Sequence, residues 1–156
     1  MEYMIEVYTD GSKNENGIGS GIVIFIDEHL TFKLKYKLAD KCSNNQAEQL
    51  AIAKALEKIK DLDQSQGNQR SLAIHTDSRI SLDTIANPSN RQNFVERNRE
   101  EIRRLKNDNW IIHFTWVKAH DNNGNELAGH LAKGAACGSE VDIAYIKIRK
   151  LQWPAS

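Results

Sequence analysis

The sequence predicts an α/β fold: a mixed five-stranded sheet with helices on both faces. Three observations carry that prediction. Runs of alternating or β-branched apolar residues at 4–9, 19–26, 30–38, 72–77 and 110–116 read as strands. Segments at 45–59, 78–86, 90–106 and 125–136 repeat their apolar residues at helical spacing. The resulting order, β-β-β-α-β-α-α-β-α, follows an antiparallel meander with strands reached through helices, which gives parallel neighbours by right-handed crossovers.

In the first strand Ile5, Val7 and Thr9 alternate with Glu6, Tyr8 and Asp10. It is expected to end at Asp10 and turn sharply at Gly11. Taken alone, Asp10-Gly11-Ser12 is ordinary turn chemistry. A polar loop at 13–18 leads to the apolar run Gly19 to Ile26. Asp27-Glu28-His29 then turns the chain into Leu30 to Leu38, where Phe32, Leu34, Tyr36 and Leu38 alternate with polar residues, so the two runs form a hairpin. After a connector, Asn44 or Asn45 is the expected cap of a helix whose stripe is Ala47, Leu50, Ala51, Ala55, Leu56 and Ile59. The unpatterned stretch 61–70 is a loop. Leu72 to Asp77 is a second strand that ends in a carboxylate.

Ser78 caps a short helix, which Asn87-Pro88-Ser89 breaks. The next helix buries Phe94, Val95, Ile102 and Leu105, and its arginines alternate with Glu96, Glu100 and Glu101 as on a solvated face. Trp110 to Trp116 is a strand, 117–124 a loop, and the helix after it stops at Cys137-Gly138. The chain divides into a main domain at 1–137 and a tail at 138–156, which reads equally as an added strand or a linker. The start at Met1, almost directly on a strand, suits an independent protein or a domain cut from a polyprotein.

A length of 156 residues suits one domain with a sizeable core. Lys plus Arg and Asp plus Glu are 21 each, so a nucleic-acid partner would need a local basic patch and not a net positive charge. No apolar run reaches membrane-span length and no secretion signal is visible, which sets the expectation of an intracellular protein, in the cytoplasm or nucleus, without a membrane partner. Cys42 and Cys137 are too few and too far apart for a zinc pattern or a disulfide framework.

Asp10 and Asp77 lie side by side if their strands are neighbours. Glu48 stands about one turn into the first helix, on an otherwise apolar stripe, and can point at the same sheet edge. As structure alone, Glu48 would be a capping-box partner of Asn45. That reading leaves two strands ending in Asp without a reason. Three carboxylates in one place repel unless a cation lies between them. Hard oxygen ligands suit Mg²⁺ or Mn²⁺, and the chemistry such a cluster serves is two-metal phosphoryl transfer with water as nucleophile.

Five blocks together resemble the ribonuclease H family: Tyr8-Thr9-Asp10-Gly11-Ser12, Asn44-Asn45-Gln46-Ala47-Glu48, Thr76-Asp77-Ser78, Trp116-Val117-Lys118-Ala119-His120 and Gly124-Asn125-Glu126-Leu127-Ala128. The wording of the last block, with Leu131-Ala132-Lys133, is most similar to ribonuclease H domains of non-LTR retrotransposon polyproteins. The resemblance implies a ribonuclease H-like fold and an endonuclease that hydrolyses the RNA strand of RNA–DNA hybrids. It implies two Mg²⁺ ions, with Mn²⁺ as a substitute, held by Asp10, Glu48 and Asp77, and a loop His120 that moves protons as product departs. It also implies that Ser12, Ser43, Asn44 and Asn45 line the hybrid-binding surface. There, 2′-hydroxyls are read across a wide minor groove. A covalently linked reverse transcriptase and a monomeric isolated domain complete the implied context.

One position departs from the family pattern. Asn125-Glu126-Leu127-Ala128-Gly129-His130 has Gly129 where the family places a fourth carboxylate. Glycine offers no ligand and weakens a helix interior by roughly 1 kcal/mol relative to Ala. Glu126, one turn earlier, is the better-placed stand-in, and His130 is expected to face elsewhere. Two further readings stand beside the nuclease. One is a degenerate hybrid-binding or connecting module of a reverse transcriptase, against which three retained carboxylates and the loop His argue. The other is an integrase or resolvase of the same superfamily, against which the Trp116–His120 block argues.

Overall fold

The structure, a computed structural model, describes residues 4–62, 70–87, 89, 93–118 and 123–142. The elements are β1 (Ile5–Asn14), β2 (Gly17–Ile26), β3 (His29–Leu38), α1 (Asn44–Asp61), β4 (Ser71–Thr76), α2 (Arg79–Ala86), α3 (Asn93–Asn107), β5 (Ile111–Trp116) and α4 (Asn123–Ala136). The sheet order is β3-β2-β1-β4-β5, with β1–β2 and β2–β3 antiparallel and β1–β4 and β4–β5 parallel. The expected five-stranded mixed sheet is therefore found. No helix among the described residues is long and apolar enough to cross a membrane.

Alternation assigns the two faces. Ile5 and Val7 of β1, Ile22 and Ile24 of β2, and Leu72 and Ile74 of β4 join Ala51, Ile52, Ala55, Leu56 and Ile59 of α1 in the main core. Gly19 and Gly21 point the other way, against α4. A Cβ on Gly21 would lie 2.1 Å from the Ala128 carbonyl and 2.7 Å from the Ala132 amide, so the α4 backbone rests directly on β2. The far end of α4 is fixed by a buried ammonium. Lys37 Nζ donates to the Ala136 carbonyl at 2.5 Å, where the helix dipole favours a cation. Asp142 continues this anchor: its N–H donates to the Lys37 carbonyl, and its Oδ2 accepts from the Lys37 N–H at 2.8 Å.

Several expectations are corrected. β1 does not turn at Gly11. It runs on to Asn14, because residues from Asp10 to Asn14 find ladder partners from Gly21 back to Gly17, and paired backbone outcompetes local turn chemistry. The α1 cap is Ser43, not Asn44 or Asn45. Ser43 Oγ accepts from the Gln46 N–H at 3.0 Å while Gln46 Oε1 accepts from the Ser43 N–H at 2.7 Å, so the capping box belongs to Gln46 and leaves Glu48 unused by it. The hairpin turn is as expected, with Asp27 and Glu28 both left-handed (φ 48° and 69°), as a tight right-twisted hairpin requires. α3 is more than a solvated face: the half-buried Arg99 donates to the Ile85 and Thr84 carbonyls at 2.9 and 2.8 Å, tying down the end of α2. Cys42 is buried, Cys137 is exposed, and both thiols are free.

The closeness of α4 to β2 yields a paired expectation. Gly21→Val destabilises the fold by about 3 kcal/mol or more, because two methyls must displace helix backbone. Gly134→Ala on the same helix, where an added Cβ meets only Lys35 Nζ at 3.9 Å, stabilises by roughly 0.5–1 kcal/mol. Urea unfolding of both variants checks the contrast, and equal effects would refute it.

Candidate active site

The parallel ladder between β1 and β4 ends at Thr9↔Thr76. Asp10 and Asp77 are the next residues, so their carboxylates emerge side by side where the two chains stop pairing. Glu48 reaches the same place from the second turn of α1. One oxygen from each of Asp10, Glu48 and Asp77 lies within 4.8 Å of the others. Gly11 makes this approach possible: a Cβ there would come within 2.7 Å of Glu48 Cγ and 3.0 Å of the Glu48 amide.

Each carboxylate is oriented by its neighbours. The Gly11 N–H donates to Asp10 Oδ1 at 2.9 Å. Ser81 Oγ stands 3.0 Å from Glu48 Oε2 and 3.1 Å from Asn45 Oδ1, two acceptors that compete for its single proton. Behind Glu48 runs a buried amide chain: Gln49 Nε2 donates to the Ser81 carbonyl at 3.0 Å, and Asn98 Nδ2 donates to the Gln49 carbonyl and Oε1. It ties α1, α2 and α3 together beneath the carboxylate.

Burial pushes the Asp10 carboxyl up to about 7, with the Asp77 and Glu48 charges adding to the rise; the Gly11 N–H and Lys133 pull the other way. Burial also raises Glu48, against the opposing hydrogen bonds of Ser78 and Ser81. Three carboxylates crowded this closely form a site short of positive charge. Their all-oxygen donor set is the kind a hard divalent cation takes, so Asp10, Glu48 and Asp77 are the residues that could hold Mg²⁺ or Mn²⁺.

A cleft of about 250 Å³ opens beside Asp10 and Asp77 and is also lined by Asn125, Glu126, Gly129, His130 and Lys133 of α4. Position 129 faces Asp10: a Cβ there would stand 3.0 Å from Asp10 Oδ2. Glu126 lines the same cleft, as expected. His130, expected to face elsewhere, lines it too, since neighbours on a helix can border one opening from two sides. Of the residues expected at a substrate surface, Ser12 lies half-buried on β1 two residues beyond Asp10, Ser43 and Asn44 are exposed at the start of α1, and Asn45 touches Ser81. His120 lies outside the described residues. Sequence reasoning missed Ser81, Asn98 and Lys133. Ser81 carried a usable signal, a second serine one turn after the cap Ser78; Asn98 carried none.

The model of the RNase H family matches residues 2–137. Among solved structures, the chain is similar to the N-terminal RNase H domain of Rv2228c from Mycobacterium tuberculosis, at 18% identity and TM-score 0.67, covering 86% of this chain and 94% of that one. It is similar to LC11-RNase H1 in complex with RNA/DNA hybrid, at 19% identity and TM-score 0.66, covering 85% and 96%. It is also similar to the prototype foamy virus protease–reverse transcriptase, at 20% identity and TM-score 0.68, covering 89% of this chain and 21% of that one. No curated protein matches the sequence.

The raised Asp10 carboxyl fixes the direction of a pH dependence. A carboxyl whose folded pKa lies above its unfolded value stabilises the fold below the unfolded pKa, near 4, and that contribution is lost as pH rises to about 7. The metal-free protein is therefore expected to lose stability across this window. Asp10→Asn should remove most of the loss and raise the neutral-pH melting temperature by about 2–4 °C, the equivalent of roughly 1 kcal/mol. Thermal unfolding in a chelator from pH 4 to 8 tests this; a wild-type curve parallel to that of the variant would contradict it.

Proposed function

The chain belongs to the RNase H family, and from that premise we propose that it is an endonuclease that hydrolyses the RNA strand of RNA–DNA hybrids. The observation that carries the reading is the convergence of Asp10, Glu48 and Asp77 at the end of the β1–β4 ladder in a chain of this family. The solved relative in complex with an RNA/DNA hybrid supports the substrate class.

In this reading Asp10, Glu48 and Asp77 hold Mg²⁺, two ions at full occupancy, with Asp10 central because it faces both Asp77 and the opening at Gly129. Bound divalent ions would supply the positive charge that activates water and steadies the leaving oxygen. The protein's own groups do the positioning. Gly11 N–H fixes the Asp10 carboxylate, and the Ser81 hydroxyl fixes Glu48. Water oxygen bonds to phosphorus as the bond from phosphorus to a ribose oxygen breaks, so no Ser or Cys nucleophile is required. Ser12, Ser43, Asn44 and Asn45 meet the minor groove, and His120 moves protons as product departs.

Residues 1–137 form the nuclease unit and 138–156 an appended tail. Similarity to part of a viral protease–reverse transcriptase supports a linked polymerase, in keeping with the retrotransposon-like wording of α4. The opening at Gly129 makes this a slow enzyme. It also supports a second reading, a hybrid-binding module without catalysis.

Cleavage of a labelled hybrid in Mg²⁺ and in Mn²⁺ separates the two. The parent is expected to cut slowly and faster in Mn²⁺, and Asp10→Asn to cut in neither. Gly129→Asp should raise the Mg²⁺ rate roughly tenfold, equal to about 1.4 kcal/mol of barrier. Binding without cleavage in either metal establishes the module instead.

A further inference from the structure

Two arginines of the most basic helix, α3, already serve partners within the protein. On α3, Arg99 is committed to Glu96 at 2.5 Å and to carbonyls of α2, and Arg104 to Glu101 at 3.2 Å. Lys54 and Lys58 lie over Tyr36 and Phe32 of β3, at the opposite edge of the sheet from β5. One cation beside the carboxylates is placed differently.

Trp116 ends β5, in register with Thr76, the residue before Asp77. Its indole Nε1 donates to the Asp77 carbonyl at 3.2 Å, which fixes the ring against the strand end that carries the carboxylate. The ring is nevertheless 41% exposed. The guanidinium of Arg79, two residues after Asp77, lies 4.3 Å from the ring centroid. Among the described residues no carboxylate forms an ion pair with it. A guanidinium laid on an indole keeps its donor edge outward and loses little further freedom on binding, and that fork matches a phosphate. The end of β5 lies next to the ends of β1 and β4 that carry Asp10 and Asp77, so Arg79 stands within the surface that a nucleic-acid backbone at those carboxylates would meet.

We propose that Arg79, oriented by Trp116, binds a backbone phosphate of the hybrid adjacent to the one at the carboxylates. Arg79 is the binding residue and Trp116 the positioning residue. This inference rests on the hybrid-nuclease reading above. With Lys133 in the cleft, Arg79 adds local positive charge that a net charge of zero does not provide.

The test is the affinity of a short labelled hybrid, followed by anisotropy in Ca²⁺ at several salt concentrations. Arg79→Gln is expected to raise Kd roughly fivefold to tenfold and to make the slope of log K against log salt shallower by about 1, the signature of one lost phosphate contact. Arg79→Lys should recover the slope but only part of the affinity, since charge returns without the stacked fork. Trp116→Leu should cost less than Arg79→Gln, and the double variant no more than Arg79→Gln alone. Arg104→Gln, which removes an exposed cation elsewhere, should change neither quantity. If Trp116→Leu fails to fold, the exposed Arg79 variants decide the matter alone. A parent that binds the hybrid with Kd and slope unchanged by Arg79→Gln overturns the assignment of Arg79 and leaves the nuclease reading standing. A parent that binds no hybrid overturns both.

Discussion

The mutual approach of three carboxylates is the constraint on which the rest of this structure depends. Oxygens of Asp10, Glu48 and Asp77 sit within 4.8 Å of one another, an arrangement that costs free energy in the absence of a cation. It survives because each carboxylate is attached to something rigid. Two of them leave adjacent strands of one parallel ladder, and the third leaves a helix packed on the same core. Strain of this kind at a site, offset by a well-packed surround, is typical where chemistry needs a preset charge distribution.

The surround is specific. Gly11 has no side chain, so α1 can bring Glu48 against β1. Ser81 and the Gln49–Asn98 amide chain then hold Glu48 from behind, so that α2 and α3 act on the site without reaching the cleft. Buried polar chains such as this one are costly when broken, which binds the placement of Glu48 to the packing of three helices. On the other face, α4 lies directly on the glycines of β2 and carries position 129 to within contact of Asp10. Gly129 thus offers no ligand group to the site, although the helix that carries it is in place against Asp10.

Charge is distributed by the same logic. A neutral chain that acts on a polyanion must concentrate cations locally. Lys133 lines the cleft and pulls the Asp10 carboxyl down against its neighbours, while Arg99 and Arg104 of α3 serve intramolecular partners. Arg79 on Trp116 stands between these cases, a cation given a fixed direction beside the carboxylates.

The sequence by itself determined the order and type of nearly every element, because alternation in β1 to β3 and the helical stripe of α1 are local patterns. It also determined the three carboxylates, because two strand-terminal Asp residues and a lone Glu on an apolar stripe have no cheaper explanation together. The extent of β1 beyond Gly11 was not legible, since turn chemistry is local whereas the partners in Gly17 to Gly21 are supplied by β2. Nor was the capping box of Ser43 and Gln46, where several neighbouring polar residues were equally suitable and only backbone geometry selects among them. Tertiary structure alone decided that position 129 faces Asp10, that Asn98 supports Glu48 through Gln49, and that Arg79 lies on Trp116. These contacts join residues 37 to 119 positions apart, and no local pattern encodes a distance that only the folded sheet brings about.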